Sequence, residues 1–180
     1  MFKHFAIFLI IISIILSCGY SYVSGKESLQ GTEDMKKRDQ AWGDMIQAFE
    51  LYLAFFEDSY PAGNFTISHH ADTQEEALAY FSQAFDEELA AAITNAYTFY
   101  NPDNNKLQIL PTDGIPVLVS ENPNKVSTQF IDADHVMFQR CFEDYYGENT
   151  EYIYQVFCQY DGGKWKIYKL EWNPVDRAVS

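Results

Sequence analysis

The chain has 180 residues, enough for one domain of ordinary size, and its apolar content of 47% is too high for a disordered protein. Its formal net charge is −14, which argues against binding to nucleic acid and against binding to an anionic membrane through a basic patch. Three cysteines are too few for a disulfide-based scaffold.

Residues 1–17 predict an export signal. An apolar run from Phe5 to Leu16 is interrupted only by Ser13. It is too short to span a bilayer, which takes about 20 residues, but it matches the apolar part of a signal peptide.

The signal ends at Ile15-Leu16-Ser17-Cys18-Gly19, which resembles a bacterial lipobox, with an aliphatic residue three positions before Cys18. The resemblance implies cleavage before Cys18 and a diacylglyceryl thioether on its sulfur. Two or three acyl chains hold a soluble domain on a membrane. The alternatives are an ordinary signal peptide with a chance cysteine and an uncleaved anchor. The choice between inner and outer membrane stays open.

The N-terminal half predicts a flexible tether over 18–34, followed by helices. Helical spacing over 35–57 gives one apolar stripe, and residues 58–63 end this helix. Alternation over 64–69 favours a short strand. A capping box from Thr73 to Glu76 opens a second helix, and a break at Phe85-Asp86 leads into a third.

The C-terminal half predicts hairpins separated by turn residues. Six candidate strands are 106–110, 116–120, 125–131, 135–142, 152–160 and 164–172. Helices first and hairpins afterwards predict an α+β fold, with two to three N-terminal helices on one face of a curved antiparallel sheet of about five to six strands. The single domain is expected to cover 35–172, and 173–180 to form a tail.

Two cysteines lie on consecutive predicted strands. Cys141 and Cys158 face each other if the hairpin is centred between Asn149 and Thr150, and a disulfide is then conceivable in an exported protein. The alternative is two buried thiols that act as small apolar groups. Both interpretations stay open at this stage.

The tip of the same hairpin is a candidate partner-binding site. Four acids surround two tyrosines within nine residues, with Arg140 as the nearest cation: Glu143, Asp144, Tyr145, Tyr146, Glu148 and Glu151. Tyrosines offer contact area at low entropic cost, and carboxylates steer a cationic partner. The competing interpretation is a solubilising turn.

No known catalytic or metal-binding motif is present in the sequence, so no enzymatic activity, metal or cofactor is expected. His69, His70 and Asp72 cluster without a zinc spacing, which favours a solvated loop. His135 with Asp132 and Asp134 would be the residues of a SnoaL-like enzyme if they lined a cavity. The remaining aromatic run predicts sheet core, with stacking on a carbohydrate as an alternative: Tyr152, Tyr154, Phe157, Tyr160, Trp165, Tyr168 and Trp172.

The order of these elements resembles the IseA-type inhibitors of cell-wall D,L-endopeptidases. The similar stretches cover roughly 66–172, and they are Thr73–Phe81, Phe85–Leu89, Lys106–Ile109, Asp113-Gly114 and Asp161–Ile167. The resemblance implies a non-enzymatic lobe that blocks the cleft of an NlpC-type cysteine peptidase with acidic loops. The lipobox departs from the secreted members of that family.

The sequence therefore predicts a lipid-anchored extracytoplasmic protein-binding module, and the family resemblance implies that it inhibits NlpC-type endopeptidases. The alternative is a small-ligand or glycan-binding lipoprotein, whose cone-like cavity would be lined by Phe and Tyr of the sheet and closed by the helices.

Overall fold

The computed structural model describes residues 33–111, 113–119, 125–143 and 151–175. The chain divides into two compact units, Met1–Asp39 and Gln40–Ser180. The described residues of the first unit, 33–39, are helical and belong to helix α1, which covers 33–57. Within the described ranges, no helix has both the length and the apolar character that crossing a bilayer requires.

Two shorter helices follow α1, and each begins at the side chain that caps it. Helix α2 covers Gln74–Phe81, and the Glu76 N–H donates to Thr73 Oγ1 at 3.1 Å. Helix α3 covers Glu87–Tyr97, and the Leu89 N–H donates to Asp86 Oδ1 at 2.9 Å. These caps satisfy N–H groups that a helix leaves without partners in its first turn.

The strands in the described part of the chain form two antiparallel sheets of four. The small sheet has the order β1-β2-β4-β3, with β1 at Ser59–Ala62, β2 at Phe65–Ser68, β3 at Thr98–Asn101 and β4 at Lys106–Ile109. The large sheet has the order β5-β6-β7-β8, with β5 at Ser127–Phe130, β6 at His135–Glu143, β7 at Glu151–Asp161 and β8 at Lys164–Pro174.

The predicted α+β class is confirmed, and the strands divide between two sheets instead of forming one. The second, small sheet exists because two strands that the sequence did not predict, β1 and β3, form its two edges. Both strands have only four residues and directly follow the ends of helices, and Pro61 lies within β1. Such edge strands lack the alternation that identifies a strand in sequence, and an edge is where proline is tolerated. The described part of predicted strand 116–120 does not pair with either sheet.

The hairpin of β7 and β8 fixes the register of the large sheet. Its turn is Gly162-Gly163, and both residues have positive φ, 58° and 96°. Glycine adopts this backbone at no steric cost, which suits a two-residue turn between twisted strands. Further along the hairpin, Tyr168 is an extra residue that forms a bulge opposite Phe157 and Cys158. Strand β8 continues to Pro174, two residues past the expected end of the domain.

The core of the second unit lies between its helices and one face of the large sheet. Large fully buried side chains from both layers meet there, and Leu107 of β4 and Leu118 are fully buried as well. Those of the two layers include Met45, Phe49, Phe55, Phe81, Phe85, Val136, Phe138, Tyr154, Trp165 and Ile167. Burial of each large apolar side chain contributes about 1.5–3 kcal/mol. We call the sheet face that packs on the helices the inner face, and the opposite face the outer face.

Candidate functional site

The β6–β7 hairpin ends in two opposed carboxylates. Glu143 and Glu151 are direct cross-strand partners in the last described pair of this hairpin. Alternation along β6 from the buried Val136 and Phe138 places Glu143 on the outer face. Like charges directly opposite each other do not stabilise a strand pair, so this pair is no obvious contribution to the stability of the hairpin.

Arg140, the nearest cation in sequence, lies on the other side of the sheet. It is three residues from Glu143 in an extended strand, so the two side chains leave opposite faces. Its guanidinium carbon lies 4.3 Å from the centre of the Phe142 ring on the inner face. Arg140 therefore does not neutralise the carboxylate of Glu143.

The other predicted site residues of the tip lie outside the described residues. These are Asp144, Tyr145, Tyr146 and Glu148. Cys18 and the signal segment 1–17 also lie outside them. The structure therefore brings together two members of the acidic group, Glu143 and Glu151.

The disulfide between Cys141 and Cys158 is ruled out. The observed register pairs Cys141 with Ile153 and Cys158 with Val136, so the cysteines are five pairs apart along the hairpin and on opposite faces. A disulfide required the hairpin to be centred between Asn149 and Thr150, and the observed register does not meet this condition. Both thiols are free, Cys141 exposed on the outer face and Cys158 buried in the core.

The aromatic run lies mainly in the core and on the faces of the large sheet, as the sequence predicted. Tyr154 and Trp165 are fully buried on the inner face. Tyr152 stacks on Trp172, with ring centres 5.3 Å apart. Phe157 lies on the outer face, where the ammonium of Lys169 is 5.2 Å from its ring centre.

The helix–sheet interface is filled with side chains, which counts against a ligand cavity at that position. The rings of Trp42 and Phe138 meet edge to face at 5.6 Å across this interface. A cleft of about 320 Å³ lies instead beside α1, between Tyr52, Tyr97 and the segments 109–111 and 113–115. In it the Ile115 N–H donates to the Tyr52 hydroxyl at 3.2 Å, and burial raises the pKa of this hydroxyl.

The pair His135 and Asp132 lies on the surface. The ring Nδ1 of His135 is 2.9 Å from both carboxylate oxygens of Asp132, and the ring packs edge to face on Tyr168. A hydrogen bond from the Asp134 N–H and one from the His135 ring hold the pKa of Asp132 below its usual range. These residues stabilise the 131–134 turn, and none of the clefts described for this chain is lined by them.

The cluster at His69, His70 and Asp72 lines a polar cleft of about 360 Å³ beside the small sheet. His70 Nε2 lies 3.3 Å from Asp58 Oδ2, and Lys106 Nζ lies 2.6 Å from Asp72 Oδ1. Among the described residues, no three His, Cys, Asp or Glu side chains are placed to hold a metal ion together.

Sequence reasoning did not include Lys106 and Tyr60 in this cluster. Both line the same cleft, and they come from strands β4 and β1. No local signal connects them to the histidines, because only the pairing of β1, β2 and β4 brings the three segments together.

No known protein family, curated protein or solved structure matches this chain.

We expect the two described cysteines to differ in reactivity. Burial raises the pKa of the Cys158 thiol, so almost no thiolate forms there at pH 8, and reagent has no access to it. Iodoacetamide should therefore modify Cys141 alone in the folded domain 19–180, and both thiols in denaturant. Mass spectrometry of the intact protein counts the adducts, and a native domain without any reactive thiol would contradict the assignment.

We also expect Asp132 to make stability depend on pH. Because its pKa is lower in the folded state, its contribution is present above the unfolded value of 3.8 and is lost as the pH falls through the folded value. Asp132→Asn should therefore destabilise the domain at pH 6 and lose this effect progressively as the pH falls below 3.8. Urea unfolding at several pH values measures the difference, with the exposed Glu57→Gln as a control. A penalty that stays constant down to pH 2 would refute this assignment.

Proposed function

We propose that the chain is a lipid-anchored extracytoplasmic module that binds a protein partner and inhibits cell-wall D,L-endopeptidases of the NlpC type. The acidic end of the β6–β7 hairpin is its contact surface. The observation that carries the proposal is the direct opposition of Glu143 and Glu151, because this pairing places two carboxylates of the predicted acidic group side by side at the end of the hairpin.

The surroundings of the pair also support a docking role. The pair is the last described pair of the β6–β7 hairpin, and it lies on the face that is not packed on the helices. Asp144 and Glu148 follow within the same connection and add negative charge. Such a group speeds encounter with a cationic cleft rim, and salt weakens its effect.

The lipid anchor is tested first. Cys18→Ser should release the protein from the membrane fraction, because the anchoring thioether forms on this sulfur. Fractionation followed by mass spectrometry of the mature N-terminus measures the result, and Cys141→Ser is the matched control. An intact Met1 on the wild-type protein would refute the anchor.

Inhibition is tested with residues 19–180 and a purified NlpC-type endopeptidase acting on peptidoglycan. The variant E143K/D144K/E148K/E151K should inhibit at least about tenfold less well, chiefly because association slows. The control E57K/E75K/E88K/D103K changes the same charge at exposed positions elsewhere and should inhibit much more strongly than the tip variant. Absence of inhibition at micromolar wild-type protein, or equal loss in both variants, would end the proposal.

A further inference from the structure

The outer face of the small sheet carries exposed aromatic side chains that the fold does not use. In β4, Leu107 belongs to the central core, and Gln108 beside it projects from the opposite face. Gln108 pairs with Phe99, Tyr60 pairs with Ile67, and the pairing of Thr66 with Ile109 sets Ile67 next to Gln108. These four side chains therefore form one row across all four strands.

Phe65 lies on the same face, two residues before Ile67 in β2. We call Tyr60, Phe65 and Phe99, with Ile67 and Gln108 between them, the aromatic platform. Phe65 is 46% exposed and Phe99 is 51% exposed, whereas Ile67 and Gln108 are only 2% and 3% exposed. Large apolar side chains that are grouped and exposed in this way mark an interaction surface.

The buried amide in the platform also points to a ligand. Gln108 Nε2 is buried and has no hydrogen-bond partner among the described residues. A buried donor without an acceptor is destabilising, and few occur in a native protein. An oxygen atom of a bound molecule would supply the missing acceptor once the side chains that cover the amide in the free protein are displaced.

A polar cleft continues the platform along the same face. It is the cleft of about 360 Å³ described above, and Tyr60, His69 and Lys106 line it. The rings of Tyr60 and His69 are 4.8 Å apart, and Lys106 forms its ion pair with Asp72 at 2.6 Å. Glu76 also lines the cleft, and its carboxylate accepts from the N–H groups of Asp72 and Thr73. Because the charged groups of the cleft already have partners, a ligand rich in hydroxyl groups fits it better than an ion.

The distance between the two exposed phenylalanine side chains limits which ligands can stack on both of them. Phe65 and Phe99 are separated by two strand spacings and by two residues along the strands, which places their Cβ atoms about 12 Å apart. In a β-1,4-linked pyranose chain, every second sugar presents the same face, so two stacking rings on one surface must be about a disaccharide apart. The spacing of the platform is comparable with that repeat.

We infer that the aromatic platform and the adjoining polar cleft form a binding site for a neutral β-1,4-linked polysaccharide chain. The apolar C–H faces of alternate sugars stack on Phe65 and Phe99. Hydroxyl oxygens accept from Gln108 and from the groups of the cleft. A purely apolar peptide segment fits less well because its side chains leave the polar groups of the cleft without partners. The site is separate from the β6–β7 hairpin, so it stands independently of the inhibitory function.

The test measures binding of the full chain, purified in detergent, to insoluble chitin and cellulose by sedimentation, and to chitotetraose by calorimetry. Phe65→Ala with Phe99→Ala should weaken binding at least about tenfold, equivalent to 1.4 kcal/mol. The matched control is Ile131→Ala with Tyr160→Ala, because these side chains are 52% and 43% exposed away from the platform. The control should bind as the wild type does.

Gln108→Leu separates binding from folding. Because it removes a buried donor without an acceptor, it should raise the melting temperature of the free protein and still weaken binding to chitotetraose. A merely structural role for Gln108 would change the melting temperature alone.

Three results would overturn the inference. The first is a wild-type chain that binds none of these glycans, and the second is binding that the platform variant leaves intact. The third is capture of apolar peptides from a displayed library by the platform while glycans fail to compete, which would assign the surface to a protein partner.

Discussion

The fold of the second unit depends on burying an aromatic-rich stripe of helix against the inner face of the large sheet. Phe49 and Phe55 of α1 contribute one side of this interface, and Phe138, Tyr154 and Trp165 contribute the other. Hydrogen bonds fix the position of the helical layer relative to the large sheet. The Trp165 N–H donates to Asp44 Oδ2 at 2.9 Å, and the Asp86 N–H donates to the Ile167 carbonyl at 2.9 Å. The edge of β8 is thereby partly covered, which limits pairing with other chains there.

Because side chains fill this interface, the candidate binding residues lie on the surface of the protein. A cone-like α+β fold that bound a small ligand internally would need space between helices and sheet, and large rings occupy that space here. The features without a role in folding lie on outer faces: the opposed pair Glu143 and Glu151 on the large sheet, and the aromatic platform on the small sheet.

The two proposed surfaces complement each other physically. The acidic pair acts through charge, so it steers a cationic protein over distances of about a Debye length. The aromatic platform acts through stacking at contact and carries little net charge. A module on a lipid anchor that also holds a polysaccharide would be confined between membrane and wall, where a wall-degrading peptidase works. This combination raises local concentration without any new contact to the peptidase.

Periodicity and capping residues in the sequence were enough to predict the helices, the long strands and the α+β class, because these signals are local. The capping box at Thr73 and the turn at Gly162-Gly163 each specify backbone geometry by themselves. Only the tertiary structure decided the edge strands β1 and β3, the register that separates Cys141 from Cys158, and the row from Tyr60 to Phe99. The row depends on the pairing of β2 with β4, which are distant in sequence, and the other features depend on the registers of neighbouring strands, which no local signal fixed. A shift of a few residues in such pairing changes every partner and, when odd, every face.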